Sequence, residues 1–143
     1  MADKAKQKDP LIEEVESTED SAKAAEAIEE LAKLRGNVNS FTYSFKEPFT
    51  FEGHTFETLI FDWSRLTGAD SLAIENVIVR RGKTLVAPAY TGDYLVGMAV
   101  RACTERDEEG HRVVNEQTLR ALPLGAFRKI CNAARDFLLV SSL

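Results

Sequence analysis

Residues 41–51, FTYSFKEPFTF, constrain the fold more than any other stretch of this chain. Phe41, Tyr43 and Phe45 alternate with Thr42, Ser44 and Lys46, the period-two signature of a strand with one buried face. Pro48 interrupts the pattern, and Phe49 and Phe51 resume it. Glu52-Gly53-His54 then supplies a turn, because glycine accepts a positive φ at little steric cost. Thr55 to Phe61 returns as a second strand. The reading is a β-hairpin, with residues 39–45 extending it as a further strand. No other strand-like region occurs.

After Asp62 the periodicity becomes helical. Thr67 with Asp70 three residues on has the spacing of a capping box, with Asp in place of the usual Glu. Leu72, Ile74, Val77 and Ile78 supply an apolar surface, and Gly82 is the expected stop. Residues 83–90, KTLVAPAY, read as a connector with room for a short extended piece. Thr91 is the expected N-cap of the next helix, with Asp93 well placed near its positive end. Leu95, Met98, Ala99 and Ala102 follow i, i+3, i+4, i+7 along one face. DEEGHR, residues 107–112, is a polar turn. A short helix spans about Asn115 to Leu122, and Pro123 suits the start of the last one. There Phe127, Ile130, Cys131, Ala134, Phe137 and Leu138 make the strongest apolar stripe in the chain.

The predicted fold class is therefore α+β and mainly helical: an N-terminal β-hairpin followed by three to four packed helices, preceded by a flexible N-terminal tail. With 143 residues and 44% hydrophobic content, the chain can bury one domain core. Residues 1–36 are read as an acidic tail, disordered over 1–20 and helical over about 21–35, and residues 37–143 as the domain. The tail holds ten acidic and six basic residues, so it carries −4 of the net −5. The remainder is nearly neutral and lacks the concentrated Lys and Arg that phosphate contacts require, so no nucleic-acid partner is expected. No apolar run approaches the ~20 residues of a membrane span, and the first residues do not resemble a signal peptide. The expectation is a soluble cytoplasmic protein without a membrane partner.

Few residues point to chemistry. Cys103 and Cys131 are 28 apart, and His54 and His111 are 57 apart. Structural zinc sites bring their ligands in close pairs, so no metal is expected. Cys103 with His111 could form a nucleophile and base only if the thiol were accessible. Its place on a helical apolar edge reads instead as core. Glu52, His54, Glu57, Asp62 and Asp70 could include an acid–base pair, as glycosidases use two carboxylates. Each has a plainer role at a turn, on a solvated strand face or at a cap. Gly82, Gly92, Gly97 and Gly125 build no phosphate cradle. Arg80, Arg81 and Lys83 sit where cations meet a helix C-terminus. No enzyme signature and no cofactor follow from these residues.

The order and spacing of the elements over residues 39–141 resemble the tail assembly chaperones of long-tailed bacteriophages and prophages. The likeness rests on EPFTFEGHTFETLIFDWSRLTGAD, LTGADSLAIENVIVRRG, AYTGDYLVGMAVRAC and LRALPLGAFRKICNAARDFL. It departs where an acidic residue is expected just before Phe127; this chain has Ala126. The first 36 residues lie outside it. The resemblance implies a non-enzymatic chaperone that binds and solubilises the tape-measure protein and promotes tail tube assembly, with the tail tube protein as a further partner. It implies action in the host cytoplasm and absence from the mature virion; a homo-oligomer is left open.

A chaperone for a long helical client should offer apolar surface. The candidate protein-binding residues are Phe49, Phe51 and Phe56 on the hairpin with Phe127, Ile130, Phe137 and Leu138 on the last helix. The alternative for each is a place in the core. The competing functional reading is a non-enzymatic regulatory or adaptor protein that binds another phage or bacterial protein.

Overall fold

The computed structural model of the chain describes residues 20–30 and 37–143. Two units are distinguished, Met1–Gly36 and Asn37–Leu143. In the first, residues 20–30 are helical. Asp20, read as the end of the disordered stretch, is helical; the disorder expected over the residues before it, and the rest of the helix expected to about residue 35, lie outside the described residues.

The second unit is a two-stranded antiparallel hairpin followed by helices, an α+β arrangement that is mainly helical. β1 spans Ser40–Phe51 and β2 spans His54–Asp62. The helices are α1 (Gly68–Arg80), α2 (Gly92–Ala102), α3 (Glu116–Arg120) and α4 (Leu124–Ser141). Short 3-10 turns precede α1 at Trp63–Arg65 and α2 at Pro88–Tyr90. The second of these occupies the connector in which an extended piece was expected.

Pro48 does not divide the first strand in two. The pairing runs regularly from Ser40↔Asp62 to Ser44↔Thr58, then resumes at Phe49↔Phe56. Five steps along β1 thus meet two along β2, and the bulge absorbs a residue with no N–H to give to the ladder. The offset shifts which β2 residues face inward. Leu59 and Phe61 are buried at one end and Phe56 at the other, while Glu57 and Thr58 between them are both exposed. At the tip, Phe51↔His54 pairing closes a two-residue loop in which Glu52 and Gly53 both have positive φ, 47° and 80°. That is the primed turn whose twist matches the flanking strands.

α2 is the centre of the domain. It touches α1, α3, α4, β2 and both 3-10 turns. Leu95, Met98, Ala99 and Ala102 are buried as the spacing predicts, and so are Tyr94 and Val96. A helix enclosed on several sides can be apolar on several sides. The C-terminal end of α2 reaches the outer edge of β2, where the Thr104 N–H donates to the Ile60 carbonyl at 2.9 Å. α4 packs against α2 and across β1. Trp63 and Phe61 are fully buried and stacked, with centroids 5.4 Å apart and planes 8° from parallel.

Caps follow the sequence in part. The Asp70 carboxylate accepts from the Thr67 N–H at 2.8 Å, closing the first turn of α1. Asn115 and Thr118 cap α3 reciprocally, at 2.9 and 3.2 Å. Thr91 stands at the N-cap of α2, but its hydroxyl donates backwards to the Ala87 carbonyl at 2.7 Å. The apolar surface expected on α1 needs correction. Ile74 and Ile78 are buried, whereas Leu72 is 62% and Val77 40% exposed.

Candidate functional site

The seven candidate residues fall into three groups. Phe56 and Ile130 are 5% and 1% exposed and belong to the hydrophobic core. They offer no surface to a partner in this conformation, which corrects their assignment as binding residues. Phe49, Phe127, Phe137 and Leu138 are half-buried and pack against that core. Phe51 is half-buried but lies outside both the core cluster and the residues packed on it. The candidates on α4 and those on the hairpin therefore differ in what covers them, although their sequence patterns look alike.

On the hairpin the half-buried aromatics form a continuous row. Tyr43 meets Phe45 edge-on at 4.9 Å between centroids, and Phe45 stacks on Phe49 at 5.6 Å. Phe49 in turn lies 6.4 Å from Phe51 and 6.5 Å from Phe56, with planes 7° and 24° apart. His54 closes the row, 6.4 Å from Phe56. Directly paired residues share a face, so Phe49 with Phe56 and Phe51 with His54 place four rings on one side of the tip. The bulge at residues 45–48 makes this arrangement, because it keeps the β1 aromatics on one face while β2 shifts parity. The row extends to Tyr43 and Phe45, which the sequence placed on a buried strand face rather than at a site.

Towards the tip the opposite face of the hairpin is polar, whereas Ile60 further along it is 40% exposed. Thr50 and Thr55 hydroxyls are hydrogen-bonded at 3.0 Å, and Glu57 and Thr58 are exposed. A two-faced hairpin of this kind can present an apolar strip to a partner while remaining soluble on its back.

The residues weighed for chemistry are held in structural roles. Cys103 and Cys131 are free and buried, and burial pushes both thiols above their ordinary range. His111 sits on the exposed 107–111 turn, its Nδ1 3.4 Å from Glu109 and 3.7 Å from Asp107. No hydrogen bond joins it to Cys103 among the described residues. Asp107 accepts from the backbone N–H groups of His111 and Glu109 at 2.8 and 2.9 Å, and these bonds, the His111 one foremost, hold its carboxyl below the ordinary range. Asp62 caps the 3-10 turn through the Ser64 N–H at 3.2 Å. Among the described residues, no group of three or more His, Cys, Asp or Glu is arranged to hold a metal ion. Nor is any described helix long and apolar enough to cross a membrane.

No protein-family model, curated protein or solved structure matches this chain.

Proposed function

We propose that this chain is a non-enzymatic protein-binding factor, and specifically a tail assembly chaperone of a long-tailed phage or prophage. In this reading it binds the tape-measure protein, keeps it soluble and promotes tail tube assembly. It acts in the host cytoplasm and is left out of the finished virion. The observation that carries the binding role is the aromatic row at the hairpin tip, with Phe51 outside the packed core beside Phe49. The order of hairpin and helices, on which the sequence resemblance rests, supports the narrower assignment. An apolar strip on a hairpin suits a client whose helices carry exposed apolar stripes before they assemble.

Co-expression with the tape-measure protein tests this reading. The client should be insoluble alone and soluble and co-purified with the wild-type chain. Phe51→Ser should lose co-purification while keeping its circular dichroism spectrum and a cooperative melt only a few degrees lower. If the client's solubility is unchanged and nothing co-purifies, the tail assembly reading fails, and an adaptor for another phage or bacterial protein takes its place.

A further inference from the structure

A second surface lies between α1 and α2, remote in sequence from the hairpin tip. Gly97 makes it: a Cβ there would stand 2.7 Å from Ile74 Cγ2, so only glycine lets the two helices approach this closely. Beside this contact the helices leave an open cavity of about 250 Å³. Its apolar lining includes Ala73, Val77, Val96 and Val100, and Val77 is 40% exposed. That volume is enough for one large apolar side chain of a partner.

The rim is cationic. Arg81 holds Glu116 by two bonds of 2.7 and 2.8 Å, and Arg120 reaches the same carboxylate at 2.6 Å. Lys83 and Arg120 both pair with Asp93, at 2.6 and 3.5 Å, and Arg101 pairs with Asp70 at 2.7 Å. Four cations thus already engage all three carboxylates. Arg112, which also lines the cavity, is exposed and has no ion pair among the described residues. Of these, Arg81, Arg101 and Arg112 line the cavity together with Asp93 and Glu116, so its lining is +1, although residues 37–143 as a whole carry a net −1.

We propose that this groove docks an acidic amphipathic helix of a partner protein, with one apolar side chain seated between α1 and α2 and a carboxylate of the partner on Arg112. The charge of the rim selects the occupant. A basic or neutral apolar helix could fill the cavity equally well but would leave the excess positive charge unmatched. This surface is distinct from the aromatic row and stands whether or not the tail assembly reading does.

The test uses the full chain and fluorescence anisotropy. The probe is a short alanine-based helical peptide with two leucines one turn apart, flanked by glutamates; the control has every glutamate replaced by lysine. The glutamate peptide should bind saturably, about tenfold or more tighter than the lysine peptide, and should weaken as salt rises. Arg112→Glu should weaken it by about tenfold or more, and Val77→Asp should abolish binding. Both residues are exposed, so thermal melts should show both variants folded. Equal binding of the two peptides, no saturable binding, or unchanged binding to Arg112→Glu overturns the proposal. Self-association that Arg112→Glu abolishes would assign the groove to a second copy of the chain and overturn it as well.

Discussion

The Asp70 carboxylate accepts the Thr67 N–H at 2.8 Å and the Arg101 guanidinium at 2.7 Å, so one side chain closes the first turn of α1 and ties it to the last turn of α2. Asp70→Ala removes both bonds and should destabilise the domain by about 1–3 kcal/mol in urea unfolding. Asp70→Asn keeps an acceptor for the Thr67 N–H but loses the ion pair, and should cost less. Arg101→Ala in the Asp70→Ala background should add little beyond lost packing, because the pair is already broken. Full additivity of the two changes would show that the ion pair contributes nothing.

Asp70 and Glu116, together with Asp107, set how stability falls in acid. The Thr67 backbone bond first and Arg101 second hold the Asp70 carboxyl below its ordinary 3.8, and the Arg81 bond holds Glu116 below its ordinary 4.5. A carboxyl with a depressed folded pKa contributes stability that is present above its unfolded value. That contribution is lost as pH falls through the folded value. Unfolding free energy should therefore be flat between about pH 6 and pH 8, fall steadily from about pH 5 downwards, and fall again in alkali, where the unfolded but not the buried thiols ionise. In Asp70→Asn the fall in acid should be shallower. Equal slopes in the variant and the wild type would remove Asp70 from the account.

The hairpin was legible because alternation and a glycine turn are local signals. Its continuity was not, because Pro48 reads as a break unless a bulge absorbs it, and a bulge depends on the partner strand. On α1, Leu72 and Val77 belong to the apolar surface by composition. Gly97 fixes which arc of that helix meets α2, and the buried arc is the one holding Ile74 and Ile78. The candidate site shows the same boundary. Phe51 and Phe56 both look like half-exposed strand aromatics, and only tertiary packing separates them. The groove beside Val77 had no sequence signal, since its lining comes from α1, α2, α3 and the turns beside them.

The turn at the hairpin tip places a non-glycine residue, Glu52, at φ 47°. Asparagine adopts this left-handed conformation more readily than glutamate, and Asn-Gly is the preferred pair for this turn. Glu52→Asn should stabilise the domain by about 0.5–1 kcal/mol. If Glu52 contributes to binding through its charge, the same variant would weaken client capture. If the aromatic row alone carries binding, capture should be unchanged or slightly improved by a stiffer tip. Stability and capture measured on one preparation separate the two effects.

Ile130, Phe56 and Phe51 form a graded series for separating core from surface on the candidate site itself. Ile130→Ala opens a cavity at a residue 1% exposed and should cost about 2–5 kcal/mol. Phe56→Ala should cost a comparable amount, about 3–5 kcal/mol, lowered to the extent that the thin hairpin relaxes around the gap. Phe51 lies beside Phe49 and outside the packed core, so Phe51→Ala should cost about 1–2 kcal/mol, one aromatic pair and part of a ring's burial, less than either core residue. Client binding should run in the opposite sense. Phe51→Ala should lose it in a fully folded protein, whereas Ile130→Ala, assayed well below its lowered melting temperature, should retain it. Chemical denaturation and co-purification on the three variants give both orderings. A Phe51→Ala protein that binds its client as tightly as wild type would move the binding surface off the hairpin tip, leaving the half-buried Phe127, Phe137 and Leu138 on α4 as the residues to replace next.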